Sequence, residues 1–126
     1  MKKIYVIDDD IDFLQLMEEL LGKKYTISTT IRLDIDGMYA FQPDLILLDS
    51  FLGNTNSDRV LWELTLTRPD FAMPIILMSG HEVNPTKYPA LVKGFIPKPC
   101  SIKVINKTIE DFFAGKLEAP SYILAK

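Results

Sequence analysis

Pro43-Asp-Leu-Ile-Leu-Leu-Asp49 decides how the rest of the chain is read. Leu45 to Leu48 form an unbroken apolar run of strand length, the pattern of a strand buried on both faces inside a parallel sheet. The run ends on a carboxylate and passes into Gly53-Asn54-Thr55-Asn56-Ser57, a loop composition. Asp49 thereby stands at the C-terminal tip of a central strand, where open α/β sheets gather their chemistry. Taken alone, the position suits a turn-closing carboxylate equally well.

Upstream, Ile4 to Ile7 is a second short apolar run, and it ends in Asp8-Asp9-Asp10. Phe13, Leu14, Met17, Leu20 and Leu21 then recur at helical spacing, which predicts a helix over about 11–21 with Asp10 or Asp12 as N-cap and Gly22 as its stop. Tyr25 to Thr30 is a more polar strand, placed nearer a sheet edge. Leu33, Ile35, Met38, Tyr39 and Phe41 predict a second helix within 31–41, which Gly37 weakens and Pro43 ends.

Downstream, Val60, Leu61, Leu64 and Leu66 line a third helix that starts near Ser57 or Asp58 and ends at Arg68-Pro69-Asp70. Trp62 lies off this stripe and is expected to lap over a neighbour; Trp62, Cys100 and the methionines read as packing residues. Pro74 to Met78 is another apolar strand, running into Ser79-Gly80-His81. Pro85 and Pro89 interrupt the place of a fourth helix and predict a short or irregular one around Pro89 to Lys93. Gly94 to Pro97 is a fifth strand, followed by Lys98-Pro99. Ile102, Ile105, Ile109, Phe112 and Phe113 mark a closing amphipathic helix that Gly115 ends. Strand and helix signals alternate throughout, the pattern of a single α/β domain over residues 1–115, with 116–126 as a tail.

The 126 residues suit one domain, and 48% hydrophobic with 25% charged residues is an ordinary globular balance. A net charge of -3 argues against a broad nucleic-acid-binding face. The single cysteine excludes an internal disulfide and fits a reducing compartment. No leader-like segment or membrane-length apolar run is present, so the expectation is a cytoplasmic domain.

Chemistry-bearing residues fall at the ends of the predicted strands: Asp8-Asp9 after the first, Asp49 after the third, Ser79 after the fourth, Lys98 after the fifth. Right-handed crossovers bring such strand ends onto one edge of a sheet. Three carboxylates meeting there repel, and a Mg²⁺ ion completed by waters and a phosphate oxygen answers that repulsion. A hydroxyl and an ammonium remain for the other phosphoryl oxygens. This is chemistry for phosphorylating a carboxylate, with Asp49 as nucleophile.

These stretches, together with Phe95-Ile-Pro-Lys98-Pro99, resemble the receiver domains of bacterial two-component response regulators, over roughly residues 3 to 114. The resemblance implies a flavodoxin-like (βα)5 fold with a five-stranded parallel sheet in the order 2-1-3-4-5. It implies that Asp49 accepts a phosphoryl group from a histidine kinase or histidine phosphotransfer protein. Asp9 would hold Mg²⁺ directly, Asp8 largely through water, and the Phe51 carbonyl would be a further ligand. Lys98 would pair with Asp49 and then with the phosphoryl group, across a cis Lys98–Pro99 bond. Ser79 would be the switch hydroxyl and Phe95 the switch aromatic. Output would pass to a downstream protein target or a further domain, and the resemblance also allows a homodimer.

Departures from the family pattern accompany it. Gly53 and a polar run replace the usual proline after the acceptor, which predicts a more mobile loop. Gly80 replaces the usual alanine and leaves extra room beside the phosphoryl site. Phe51 and His81 flank the acyl phosphate; Phe51 is expected to shield it from water and lengthen its life. Two other readings stand beside this one. The first is a receiver-like interaction module that no longer signals by phosphorylation. The second is a haloacid-dehalogenase-type phosphatase with Asp8 as nucleophile. Against the second, Asp12 replaces the usual threonine or valine and no acidic pair follows Lys98 on a strand end.

Overall fold

The structure is a computed structural model that describes residues 1–53, 55–80, 90–98 and 101–117. Strand β1 (Lys3–Ile7) leads into helix α1 (Ile11–Leu21), whose start is fixed by Asp10: its side chain accepts a hydrogen bond from the Phe13 amide at 3.2 Å. Strand β2 (Thr26–Thr30) follows, only partly buried, as its polar composition predicts for an edge. Helix α2 (Ile35–Phe41) begins later than the apolar spacing alone implied. Asp34 caps it by accepting from the Gly37 amide at 3.0 Å, so Ile31 to Leu33 stay outside the helix.

Strand β3 (Leu45–Asp49) is buried along its whole length. A two-stranded antiparallel ribbon, β4 (Phe51–Leu52) and β5 (Thr55–Asn56), then takes up much of the expected loop. Asn56 caps helix α3 (Ser57–Thr67), and strands β6 (Ile75–Ser79) and β7 (Val92–Pro97) come next. Ser101 caps the last described helix, α4 (Ile102–Phe113). Gly115, at φ +72°, then turns the chain back, a conformation that favours glycine.

The main sheet is parallel and ordered β2-β1-β3-β6-β7. With the ribbon strands left out of the count, this is the 2-1-3-4-5 order implied by the resemblance. Leu14, Met17 and Leu21 of α1 and Ile105 and Ile109 of α4 cover one face, against Val6, Leu47, Met78 and Ile96. Met38 of α2 and Val60, Leu61 and Leu64 of α3 cover the other, against Ile7, Leu48, Ile75 and Leu77. Covering both faces is what makes β3 and β6 continuous apolar runs rather than alternating ones.

Two packing expectations need correction. Val92 and Lys93 belong to β7, not to a helix around Pro89 to Lys93. Val92 is buried and pairs with Ile75, so ladder bonds and burial of a β-branched residue outweigh helix formation there. Residues 81–89, including Pro85 and Pro89, lie outside the described residues. Trp62 does not lap over a neighbour as a packing residue; it is 52% exposed on the outer side of α3. Met17, Met38 and Met78 are buried as expected, Met1 is exposed, and Cys100 lies outside the described residues. At the end of the described chain, the Leu117 side chain packs against the α1/α4-side core, lying over Gly94 of β7.

Candidate functional site: an acidic cleft at the carboxyl edge of the sheet

Because the sheet strands are parallel, the C-terminal ends of β1, β3, β6 and β7 share one edge. Asp8 and Asp9 follow β1, Asp49 ends β3, Ser79 ends β6 and Lys98 follows β7. Asp8, Asp9 and Asp49 each turn one carboxylate oxygen to a common point, with these atoms within 4.8 Å of one another. Lys98 Nζ donates to Asp8 Oδ2 at 2.8 Å and stands 3.5 Å from Asp49 Oδ1. Lys98 therefore lies closer to Asp8 than to Asp49. A cleft of about 490 Å³ opens over the cluster, lined by Asp9, Asp49, Ser50, Phe51, Gly53, Gly80 and Lys98.

The backbone holds these groups in place. Asp8 is fully buried, and its Oδ1 accepts from the Asp10 amide at 3.0 Å. Exposed Asp9 is tied to the ribbon, because the Gly53 amide donates to its Oδ2 at 2.7 Å. Gly53 has φ +63°, so the residue that replaces the family's usual proline also makes the turn that aims this amide. The Lys98 amide donates to the Ser79 carbonyl at 2.7 Å, and the Ser50 amide to the Met78 carbonyl at 2.8 Å, which locks the strand ends together.

Burial pushes the Asp49 carboxyl up to about 6; the charge of Asp8 adds to this and Lys98 opposes it. Burial alone would lower the Lys98 ammonium, but the hydrogen bond and charge of Asp8, then Asp49, outweigh it and leave the ammonium raised. Three carboxylates face one ammonium, so the cluster carries excess negative charge when ionised. An all-oxygen donor set with that excess, beside an open cleft, fits a hard divalent cation such as Mg²⁺.

Asp8, Asp9, Asp49 and Lys98 are thus brought together, and Phe51 and Gly80 line the cleft beside them. A Cβ at Gly80 would come 3.3 Å from the Lys98 carbonyl oxygen, tighter than ordinary contact. Ser79 is fully buried and pairs with Pro97 across the β6–β7 ladder. Phe95 is buried in the core on the α2/α3 face. His81 and Pro99 lie outside the described residues. Sequence reasoning missed three features. The Gly53 amide gives no side-chain signal. Phe13, whose ring Lys98 Nζ overlies at 4.8 Å from the centroid, announced itself only as a helix-face residue. Ser50 follows the acceptor, and its buried hydroxyl has no hydrogen-bond partner among the described residues.

No family model matches the chain. It is 30% identical over 116 residues to the nisin biosynthesis regulatory protein NisR of Lactococcus lactis subsp. lactis, an alignment that takes in 86% of this chain and 48% of that protein. The chain thus spans about half the length of this relative. Among solved structures, the N-terminal domain of the nisin resistance regulator NsrR, a lantibiotic response regulator, superposes with a TM-score of 0.73 at 29% identity, covering 87% of this chain and 96% of that one. A CheY-like response regulator receiver domain protein from Methanospirillum hungatei also gives 0.73, at 20% identity over 92% of this chain and 96% of that one. In fold and in sequence, the chain is similar to the receiver domains of two-component response regulators.

Proposed function

We propose that this domain is a phosphorylation-dependent switch of a two-component system or phosphorelay, taking a phosphoryl group on Asp49 from a histidine kinase or histidine phosphotransfer protein. The observation that carries the reading is the convergence of Asp8, Asp9, Asp49 and Lys98 at one sheet edge, beneath an open cleft. In the transfer, an Asp49 carboxylate oxygen forms the bond to phosphorus as the bond from phosphorus to the donor nitrogen breaks, and the electron pair leaves with that nitrogen. With a carboxyl at about 6, Asp49 is largely ionised at neutral pH and ready to attack.

Asp8, Asp9, Asp49 and the Phe51 carbonyl would hold Mg²⁺, which when bound supplies charge neutralisation to the phosphoryl oxygens. Lys98 neutralises Asp8 and stands beside Asp49, within reach of a phosphoryl oxygen added there. Ser79 and Phe95 are the proposed switch pair. Phe51 is proposed to shield the acyl phosphate, and Gly80 and His81 to flank it. Asp8 is a poor competing nucleophile, since it is fully buried with both carboxylate oxygens hydrogen-bonded, which disfavours the phosphatase reading. The receiver unit is taken as residues 1–115, acting in the cytoplasm, with output passing to a protein target or a further domain. Among the described residues no helix is long and apolar enough to cross a membrane.

The test is intact mass after incubation with Mg²⁺ and acetyl phosphate. One phosphoryl adduct, lost in Asp49→Asn, is the expected result. No adduct would leave the interaction module standing, and an adduct that survives Asp49→Asn but not Asp8→Asn would revive the phosphatase.

A further inference from the structure

We propose that Phe13 is a positioning residue for Lys98, an inference that rests on the phosphoryl-accepting role just given. The Lys98 ammonium has three N–H donors. It reaches Asp8 at 2.8 Å and Asp49 at 3.5 Å, and the Phe13 ring lies under it with the centroid 4.8 Å away. An aromatic face attracts a cation at this range without offering a competing anion. The ring also sits on the first turn of α1, fixed by the hydrogen bond from the Phe13 amide to Asp10.

Two consequences follow for the site. The ring occupies space that water would otherwise take beside a half-buried ammonium, so the charge is directed at the carboxylates. Because the ring bears no net charge, Lys98 can swing toward a phosphoryl oxygen on Asp49 with only its contact to Asp8 to give up, since the other carboxylate beside it, at 3.5 Å, is Asp49 itself. A leucine would fill much of the same space, since Phe13 is partly buried against the α1/α4-side core, but would not hold a cation. The cation-holding and packing roles are therefore separable.

The experiment measures the rate of acetyl-phosphate adduct formation at saturating Mg²⁺ in wild type, Phe13→Leu and Phe13→Trp, each also in a Lys98→Met background. Phe13→Leu is expected to slow the reaction about threefold to tenfold, and Phe13→Trp to restore it. In the Lys98→Met background, Phe13→Leu is expected to change nothing further, because the ring acts through the ammonium. Equal slowing in both backgrounds, or slowing by tryptophan as large as that by leucine, would mean a packing role and overturn the inference. An unchanged rate in Phe13→Leu would also overturn it, while the wild-type adduct and its loss in Asp49→Asn would leave the phosphoryl-accepting role intact. Absence of an adduct in the wild type would overturn both.

Discussion

Replacing Asp49 by asparagine is expected to stabilise the metal-free domain at neutral pH. The native carboxyl titrates at about 6 rather than 3.8, chiefly because the side chain is buried and secondarily because Asp8 repels it. Between those two pH values the folded protein keeps the proton that the unfolded chain has released, so stability falls as pH rises through this window. Above it, the full penalty stands. At about 1.4 kcal/mol per pH unit, the wild type gives up about 3 kcal/mol by pH 7.5. Asparagine carries no charge and escapes the penalty.

The measurement is thermal or urea unfolding of both proteins from pH 3.5 to 8 in a chelator. In a domain of this size about 3 kcal/mol corresponds to about 10 °C in Tm. The lead of the variant should shrink as pH falls and vanish near pH 4. Added Mg²⁺ should also narrow it, since a ligand at a hundred times its Kd stabilises the native wild type by about 2.7 kcal/mol. A variant that melts at or below the wild type at pH 7.5 without metal, or whose lead grows toward acid, would refute the reasoning.

Other sites give further expected outcomes. Ser50→Ala removes a buried hydroxyl that has no partner among the described residues, so it should raise stability by about 1 kcal/mol in urea unfolding; a loss of that size would mean the hydroxyl has a partner in solution. Gly94→Ala would put a Cβ 2.6 Å from Leu117 Cδ2, displacing that side chain at a cost of about 1 kcal/mol or more. Leu117→Ala should then cost less in the Gly94→Ala background than alone, and additive losses would disprove the contact. Trp62→Gln, on an exposed face, should change stability by no more than about 0.5 kcal/mol. A larger loss would mean the indole packs after all.

The chain alone determined the sheet and the residues at its edge. Leu45 to Leu48 and Ile75 to Met78 are apolar without alternation because both of their faces are covered, and a pattern that strong survives any local propensity. Once the strands are placed, handedness puts Asp8, Asp49, Ser79 and Lys98 on one edge. Local signals served less well where burial competes with them. The alternation of strands and helices predicts a helix around Pro89 to Lys93, whereas Val92 pairs with Ile75 of β6 and Lys93 continues the same strand at a register shift in the ladder.

Only the tertiary structure decided how the site is wired. Lys98 reaches Asp8 across 90 positions of sequence, and the Gly53 amide reaches Asp9 across 44. The raised Asp49 carboxyl depends on how far burial and the Asp8 charge outweigh Lys98, a balance set by distances of a few ångström. Periodicity identifies which face a side chain occupies. It carries no information on which of two carboxylates an ammonium prefers or which ring it rests on, because those energies depend on separations that exist only after distant segments have packed.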